Sequence, residues 1–312
     1  MKEIVLVAAM VGPLLLAGCA TFSPQLKSGP DPRFEPPEPL EATDPGVALV
    51  LSGGAARGYA HVGVIRVLEA NGLRPSIVVG SSAGSVVGSL YASGLFGVEL
   101  ENTVAELDRR TFNDWVLPSL GFFPGEKGFV KGDKLHRFID EHARHHMIER
   151  FPIRFAAVAT ELRTGETQIF NAGDVGAAVR ASSAVPGIIV PAEIAGRLYG
   201  DGQISSPIPV GAARRLGARK TIAVDVIYPP EDAFITSAIG VLFQTFTISM
   251  NRLKRFELLQ ADVVISPELP RTSGQMSFGD RDQLIAAGER AAVHALEKIR
   301  PLFRPIQAET SK

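Results

Sequence analysis

Ser82 stands in the pattern Gly80-Ser81-Ser82-Ala83-Gly84, directly after the apolar run Ile77-Val78-Val79. A serine between two glycines at the end of a strand can be held on a sharp strand-to-helix turn. Its hydroxyl is then exposed, and the glycines leave room for it. At a helix N-terminus such a hydroxyl meets free amides and the positive end of the helix dipole, which favour developing negative charge. The chemistry on offer is nucleophilic attack on an acyl carbon. The pattern is short, and a tight turn with a passive serine produces the same five residues, so the case rests on what accompanies it.

Two further segments accompany it. Ser52-Gly53-Gly54-Ala55-Ala56-Arg57-Gly58 follows a second apolar run, Val47–Leu51. Gly53 and Gly54 let backbone N–H groups face a site with no Cβ in the way, which is what an oxyanion hole needs. The loop has neither the Gly-Lys-Ser/Thr ending of a phosphate loop nor a Gly-x-Gly-x-x-Gly pattern, which sets a nucleotide site aside. Asp201, between Gly200 and Gly202, offers a carboxylate able to approach another loop closely. An Asp-Gly hairpin turn is the competing account of that dipeptide. With the other two segments present, a base for Ser82 is the better reading.

Position depends on the elements between these residues. Val47–Leu51 reads as a buried strand, Tyr59–Ala70 as a helix stopped at Asn71-Gly72, and Ile77–Val79 as a second strand. That order describes a right-handed βαβ unit with neighbouring parallel strands, whose two loops emerge at the carboxyl edge of the sheet. Apolar runs at Phe155–Thr160, Thr221–Val226 and Asp262–Ile265 alternate with helical patterns. The prediction is an α/β fold with a mostly parallel central sheet flanked by helices on both faces.

Taken together, the segments resemble the patatin-like phospholipase family from about Val47 to Ile299. The loop ending Arg57-Gly58, with His61, Gly63 and Val64-Ile65 after it, is similar to that family's oxyanion block. Gly80–Gly84 matches its nucleophile motif, and Asp201-Gly202 its Asp-Gly pair. Ala181-Ser182-Ser183-Ala184-Val185-Pro186-Gly187 resembles its linking motif, and Gly128–Leu135 and Gln260–Ile265 resemble bacterial members. The resemblance implies a patatin-like three-layer architecture and a Ser–Asp dyad, with Ser82 as nucleophile and Asp201 as general base. It also implies an oxyanion hole from Gly53, Gly54 and Ala55 with Arg57, which orients the loop or meets a phosphate, and no metal or organic cofactor. Two positions depart from the pattern: Ser52 where glycine is usual, and Gln203 where glycine or alanine is usual. Ser52 is expected to restrict the loop and Gln203 to narrow the approach to Asp201. Ser52→Gly is expected to be tolerated, and Gly54→Val to cut turnover while leaving stability nearly unchanged.

A dyad dispenses with histidine, although one usually links serine and carboxylate. Six are available. His61 falls just past the glycine loop and reads as a packing or hydrogen-bonding residue. His136, His142, His145 and His146 fall on a polar helical stretch that reads as a solvated face, since no His-Glu-x-x-His spacing occurs. His294 lies mid-helix, a poor place for a base. A Ser–His–Asp arrangement through His294 stays open, as do an acyltransferase or thioesterase using the same dyad and a non-catalytic lipid-binding lipoprotein.

The N-terminus bears on location. Met1-Lys2 is a positive start, and the apolar run Ile4–Leu16 is too short to span a bilayer but suits a signal-peptide core. Leu16-Ala17-Gly18-Cys19 resembles the bacterial lipoprotein cleavage box, and Cys19 is the single cysteine of the 312-residue chain. Residues 1–18 are thus expected as a signal peptide, with Cys19 lipidated. Lipidation of Cys19 leaves no thiol to oxidise in an exported domain. Ala20 follows instead of aspartate, which favours the outer membrane over the inner within the bacterial envelope. Residues 19–45, with Pro24, Pro30, Pro32, Pro36, Pro37, Pro39 and Pro45, read as a semi-extended tether. Residues 46–312 suffice for one catalytic domain with a full core. The net charge of −1 and the lack of a basic run give no sign of nucleic acid as a partner, so the expected partners are a membrane phospholipid or lysophospholipid substrate and the membrane itself. Two segments, Phe112–Phe129 and Phe234–Ile248, are unusually apolar for connections. Buried core is the default for both, and an acyl-chain channel or a lipid-contacting patch is the alternative.

Overall fold

A computed structural model describes residues 29–114, 128–230, 235, 237–270 and 278–304. The signal segment, Cys19, Trp115, Phe122, Phe123 and Phe234 lie outside the described residues. The five apolar runs read from the sequence become β1 (Val47–Leu51), β2 (Ile77–Ser81), β3 (Arg154–Glu161), β7 (Lys220–Val224) and β8 (Val263–Ile265), and the sheet adds β4 (Thr167–Phe170), β5 (Ala192–Ile194) and β6 (Arg197–Asp201). They form one sheet in the order β5-β6-β3-β2-β1-β7-β8, with β4 paired to β3. The β3-β2-β1-β7-β8 run is parallel throughout, while β4, β5 and β6 join antiparallel.

Along β1 the side chains alternate between two separate cores. Val47, Leu49 and Leu51 belong to one apolar cluster, and Ala48 and Val50 to the other. A strand buried on both faces has no solvated side, which is why these runs are continuously apolar instead of alternating with polar residues. The larger cluster includes α1 (Tyr59–Ala70), α2 (Ala83–Ala92), α3 (Gly97–Ala105), α4 (Asp133–His142), α5 (Val175–Ser182) and α8 (Arg281–Ile299). The smaller one takes α6 (Val210–Arg215) and α7 (Ala238–Leu258). The architecture is therefore helix, sheet, helix in three layers.

One detail of register positions the site. β2 pairs with β3 through Ser81 opposite Val158, and β6 pairs with β3 through Asp201 opposite Ala159. β4 already occupies Ala157–Thr160 on the other edge of β3, so β2 and β6 share one edge. They run toward each other and meet head to head. The residue after β2 is Ser82, and the last residue of β6 is Asp201. Asp201 therefore ends a strand and is not the hairpin turn its Asp-Gly dipeptide suggests. That turn is Ala195-Gly196, between β5 and β6, where φ is 49° and 73°.

The proline-rich residues 29–45 do not extend away from the body. Arg33 bridges to Ala172, Asn171 exchanges two hydrogen bonds with the Glu35 backbone, and Arg154 donates to the Glu38 carbonyl. Phe34 and Leu40 pack against the smaller core, and the Arg215 guanidinium lies 4.7 Å above the Phe34 ring. Proline removes backbone donors, but the residues between the prolines still supply enough donors and apolar surface to dock the segment. Among the described residues, no helix is long and apolar enough to cross a membrane.

Candidate active site

The elbow at Ser82 follows from its two glycines. A Cβ on Gly80 would lie 2.3 Å from the Gly84 carbonyl carbon, and one on Gly84 would lie 2.2 Å from the Leu51 carbonyl oxygen. Only glycine lets α2 start this close to β2 and β1. Ser82 itself takes φ 50° and ψ −122°, a sparsely populated region for a residue with a side chain. Several bonds hold it there. Its amide donates to Ser182 Oγ at 3.0 Å, and its carbonyl accepts from the amide and hydroxyl of Ser85 at 2.8 and 2.7 Å. Ser182 Oγ in turn donates to the Val158 carbonyl at 2.5 Å.

Asp201 is fully buried. Its Oδ1 accepts from the Gln203 amide at 2.8 Å, and its carboxyl interacts with the Ser82 hydroxyl, while Oδ2 makes no hydrogen bond of ordinary geometry. Catalytic hydrogen bonds are commonly loose until substrate is bound. Burial pushes the carboxyl up to about 7, against the downward pull of the Gln203 amide and the Ser82 hydroxyl. Gly202 is required here, because a Cβ would lie 2.2 Å from the Val158 carbonyl oxygen.

The glycine loop lies between β1 and a 3₁₀ turn, Ala55–Gly58. Among the described residues the amides of Gly53, Gly54, Ala55 and Ala83 make no hydrogen bond. Ala55 takes φ 49°. The buried Arg57 guanidinium stacks 4.0 Å over the Tyr228 ring, which ties the loop to the chain after β7. Ser52 does more than restrict the loop: its hydroxyl donates to the Gly53 carbonyl and accepts from the Val226 amide at 2.9 Å. Gln203 lies against Gly53 and Met250, so it covers the glycine loop, whereas narrowing of the approach to Asp201 was expected. Gly54 is packed as well, because a Cβ there would lie 2.8 Å from a Val226 methyl.

Ser82 opens on a cavity of about 270 Å³, walled by Ala83, Val87, Leu107, Phe112, Val130 and Ile189 among others. Phe112, at the start of one apolar connection, thus belongs to this wall, whereas Phe129 at its other end is half exposed. Ser183, in the linking motif, also lines it with a buried hydroxyl that has no hydrogen-bond partner. The sequence marks Ser182 and Ser183 only as members of that motif. Their roles depend on contacts with residues distant in the chain.

No histidine lines this cavity. His61 is buried and burial lowers it to about 4, so it is neutral, with Nε2 bonded to the Ser52 carbonyl at 2.8 Å. His294 is exposed on α8, and His145 and His146 are exposed as well. His136 departs from the expected solvated face. It is buried, with Nε2 3.2 Å from Asp140 and 3.1 Å from Asp174, the N-cap of α5. Burial pulls its pKa down, but the two carboxylates outweigh that and hold it at about 9. The imidazolium is itself the cation these carboxylates surround, in a group whose donor atoms lie close enough together to hold a metal ion.

Fold and site together define an α/β protein in which a strand–serine–helix elbow faces a glycine loop across an apolar cavity. Residues 49–214, just over half the chain, match the family model described as patatin-like phospholipase, and the chain belongs to that family. An uncharacterised NTE family protein of Mycobacterium tuberculosis (strain ATCC 25618 / H37Rv) is 38% identical over 185 residues, 59% of this chain and 50% of that protein. A lysophospholipase NTE1 of Kluyveromyces lactis is 32% identical over 210 residues, 67% of this chain and 14% of that protein. The chain thus spans half the length or less of these curated relatives. The crystal structure of VipD from Legionella pneumophila aligns over 92% of this chain and 73% of that one, with TM-score 0.46 and 16% identity.

Proposed function

We propose that this chain is a serine acyl-ester hydrolase of membrane lipids, of phospholipase A or lysophospholipase type. The observation that carries the reading is Ser82, strained on its elbow beside the buried Asp201 carboxyl and open to an apolar cavity. Ser82 Oγ attacks the ester carbonyl carbon as its proton passes to Asp201. The amides of Gly53, Gly54 and Ala55, free of internal partners, stabilise the resulting oxyanion. The C–O bond to the alcohol breaks, and the leaving alkoxide takes the proton from Asp201. Water, deprotonated by Asp201, then attacks the acyl carbon, the bond to Ser82 Oγ breaks, and that oxygen takes the proton back from Asp201 as the fatty acid leaves. The cavity takes the acyl chain by apolar contact. The lysophospholipase among the relatives supports a single-chain phospholipid as the first substrate to test.

Treatment with a fluorophosphonate, followed by peptide mapping, tests the nucleophile. Label on Ser82, its loss in Ser82→Ala, and loss of fatty-acid release by several orders of magnitude are expected. A Ser82→Ala chain that still turns over lipid ester at a comparable rate overturns the reading. The tether is part of the same proposal: Cys19, in its lipoprotein-like box, carries the acyl anchor that holds the domain at the bacterial envelope, with the outer membrane favoured. Fatty-acid label on the wild type and none on Cys19→Ser is the expected result, and equal label on both rejects the anchor.

A further inference from the structure

The apolar stretch that ends in α7 is only partly core: Phe246 packs against the smaller cluster, and much of the rest is exposed. Val241, Leu242 and Ile248 are 48%, 70% and 41% exposed, and Ile235 before the helix is 48% exposed. Thr245 and Ser249 share the exposed face, while Thr247 and Met250 turn inward. Exposing so much aliphatic surface beside a catalytic edge calls for a partner.

Inward contacts place this surface. Lys254 pairs with Asp225 at 3.0 Å, just past the end of β7, and Asn251 donates to the Tyr228 carbonyl. Beyond the helix, Asp262 accepts from the Thr221 amide near the start of β7. Helix α7 therefore descends from the carboxyl edge of the sheet to its amino edge. Its first three turns, about 16 Å at 1.5 Å per residue, project past the carboxyl edge, the edge at which Ser82 opens.

The charge pattern identifies the partner. From Ile235 to Asn251 no residue is charged, and the exposed Arg252 and Arg255 follow at once. Toward its C-terminus the same face continues through the exposed Phe256 and Leu259. Among the described residues of α7 the one carboxylate, Glu257, turns inward to the Ser206 hydroxyl and the Ile208 amide. We propose that the N-terminal half of α7, with Ile235, inserts into the surface of an anionic phospholipid bilayer, and that Arg252 and Arg255 meet its phosphates. Aliphatic side chains followed by arginines match acyl chains followed by headgroups. A second copy packed parallel on this face would bring the arginines together. Docked in this way, the helix presents the Ser82 edge to the membrane. The docking rests on the hydrolase reading for its purpose, but not for its existence.

Because Cys19 is the only cysteine, the full chain carrying Cys19→Ser and Leu242→Cys takes one environment-sensitive dye at a known place. With vesicles of phosphatidylethanolamine and phosphatidylglycerol, blue-shifted emission and quenching by doxyl-labelled lipid are expected at 242. Neither is expected from Val293→Cys on α8, which is also exposed. A dye at 242 that stays aqueous on vesicles overturns the proposal. So does one whose emission shifts with protein concentration alone, which marks a contact between copies. In the unlabelled chain, Leu242→Glu with Ile248→Glu is expected to cut vesicle-lipid hydrolysis roughly ten-fold or more and leave a soluble short-chain ester unaffected. Unchanged vesicle hydrolysis overturns the proposal. A wild-type chain inactive on both substrates refutes the esterase reading instead, and the dye at 242 still decides docking.

Discussion

The hydroxyl of Ser182 accepts the backbone amide of Ser82 at 3.0 Å, across one hundred residues of chain. The same hydroxyl donates to the Val158 carbonyl on β3, so one side chain links the elbow, the central strand and the end of α5. A strained turn persists only when its surroundings over-determine it, and Ser182 is a large part of those surroundings. Ser182→Ala leaves the buried Ser82 amide without its acceptor, at a cost of about 1–3 kcal/mol. We expect a lower melting temperature and a kcat reduced more than KM is raised. Ser182→Thr, which keeps the hydroxyl, is expected to recover part of both; an alanine variant with wild-type kcat refutes the positioning role.

In the proposed mechanism Asp201 governs the pH profile. As a base it must be ionised, and its pKa lies near 7, so kcat/KM on a soluble ester is expected to rise through pH 7 and level off above it. Asp201→Asn is expected to lose nearly as much activity as Ser82→Ala, with His294→Gln near wild type. Stability runs the other way. A carboxyl raised from 3.8 to about 7 binds its proton more tightly when folded, so ionisation costs stability as pH rises between those values, roughly 4 kcal/mol in the limit. Asp201→Asn is therefore expected to melt higher than wild type at pH 8, with the gap closing toward pH 4. A gap that widens on acidification contradicts the assignment.

Ser52 and Gly54 test the glycine loop, and the structure changes what is expected of each. Ser52→Gly removes the acceptor of the buried Val226 amide, so it is expected to lower both melting temperature and kcat, although it restores the residue usual in the family. Gly54→Val collides with Val226 and is expected to cost stability as well as ~100- to 1,000-fold in kcat. Melting curves and steady-state kinetics on both variants check this; a Ser52→Gly chain as stable and active as wild type removes that tie from the account.

His136 sets an alkaline limit. Its pKa is raised when folded, so its contribution is fully present below its ordinary value near 6.5 and is lost as pH rises through about 9. Thermal melts from pH 6 to 10 are expected to fall across that window in the wild type. His136→Gln is expected to be less stable at neutral pH and to fall less than the wild type over the same range. Parallel curves for the two chains exclude the imidazolium from the triad.

Much of this molecule is written locally. The apolar runs of β1 and β2, the glycines around Ser82 and the stop at Asn71-Gly72 act through sterics and backbone conformation within a few residues. The strand–serine–helix elbow and the three-layer fold were legible from them. Whether Asp201 faces Ser82 is a different kind of question. It is decided by β2 and β6 meeting head to head on adjacent residues of β3, and pairing register is a property of the assembled sheet. The same holds for His136, whose polar helix looked solvated until α5 brought Asp174 against it. It holds for residues 29–45, whose prolines suggested reach but whose Phe34 and Leu40 found a core. It holds for α7, where an apolar stretch that read as core stands partly in solvent. Sequence determines which conformations each segment can adopt at low cost. The chain's long-range packing decides which faces are covered, and burial there sets the charge that Asp201 and His136 carry.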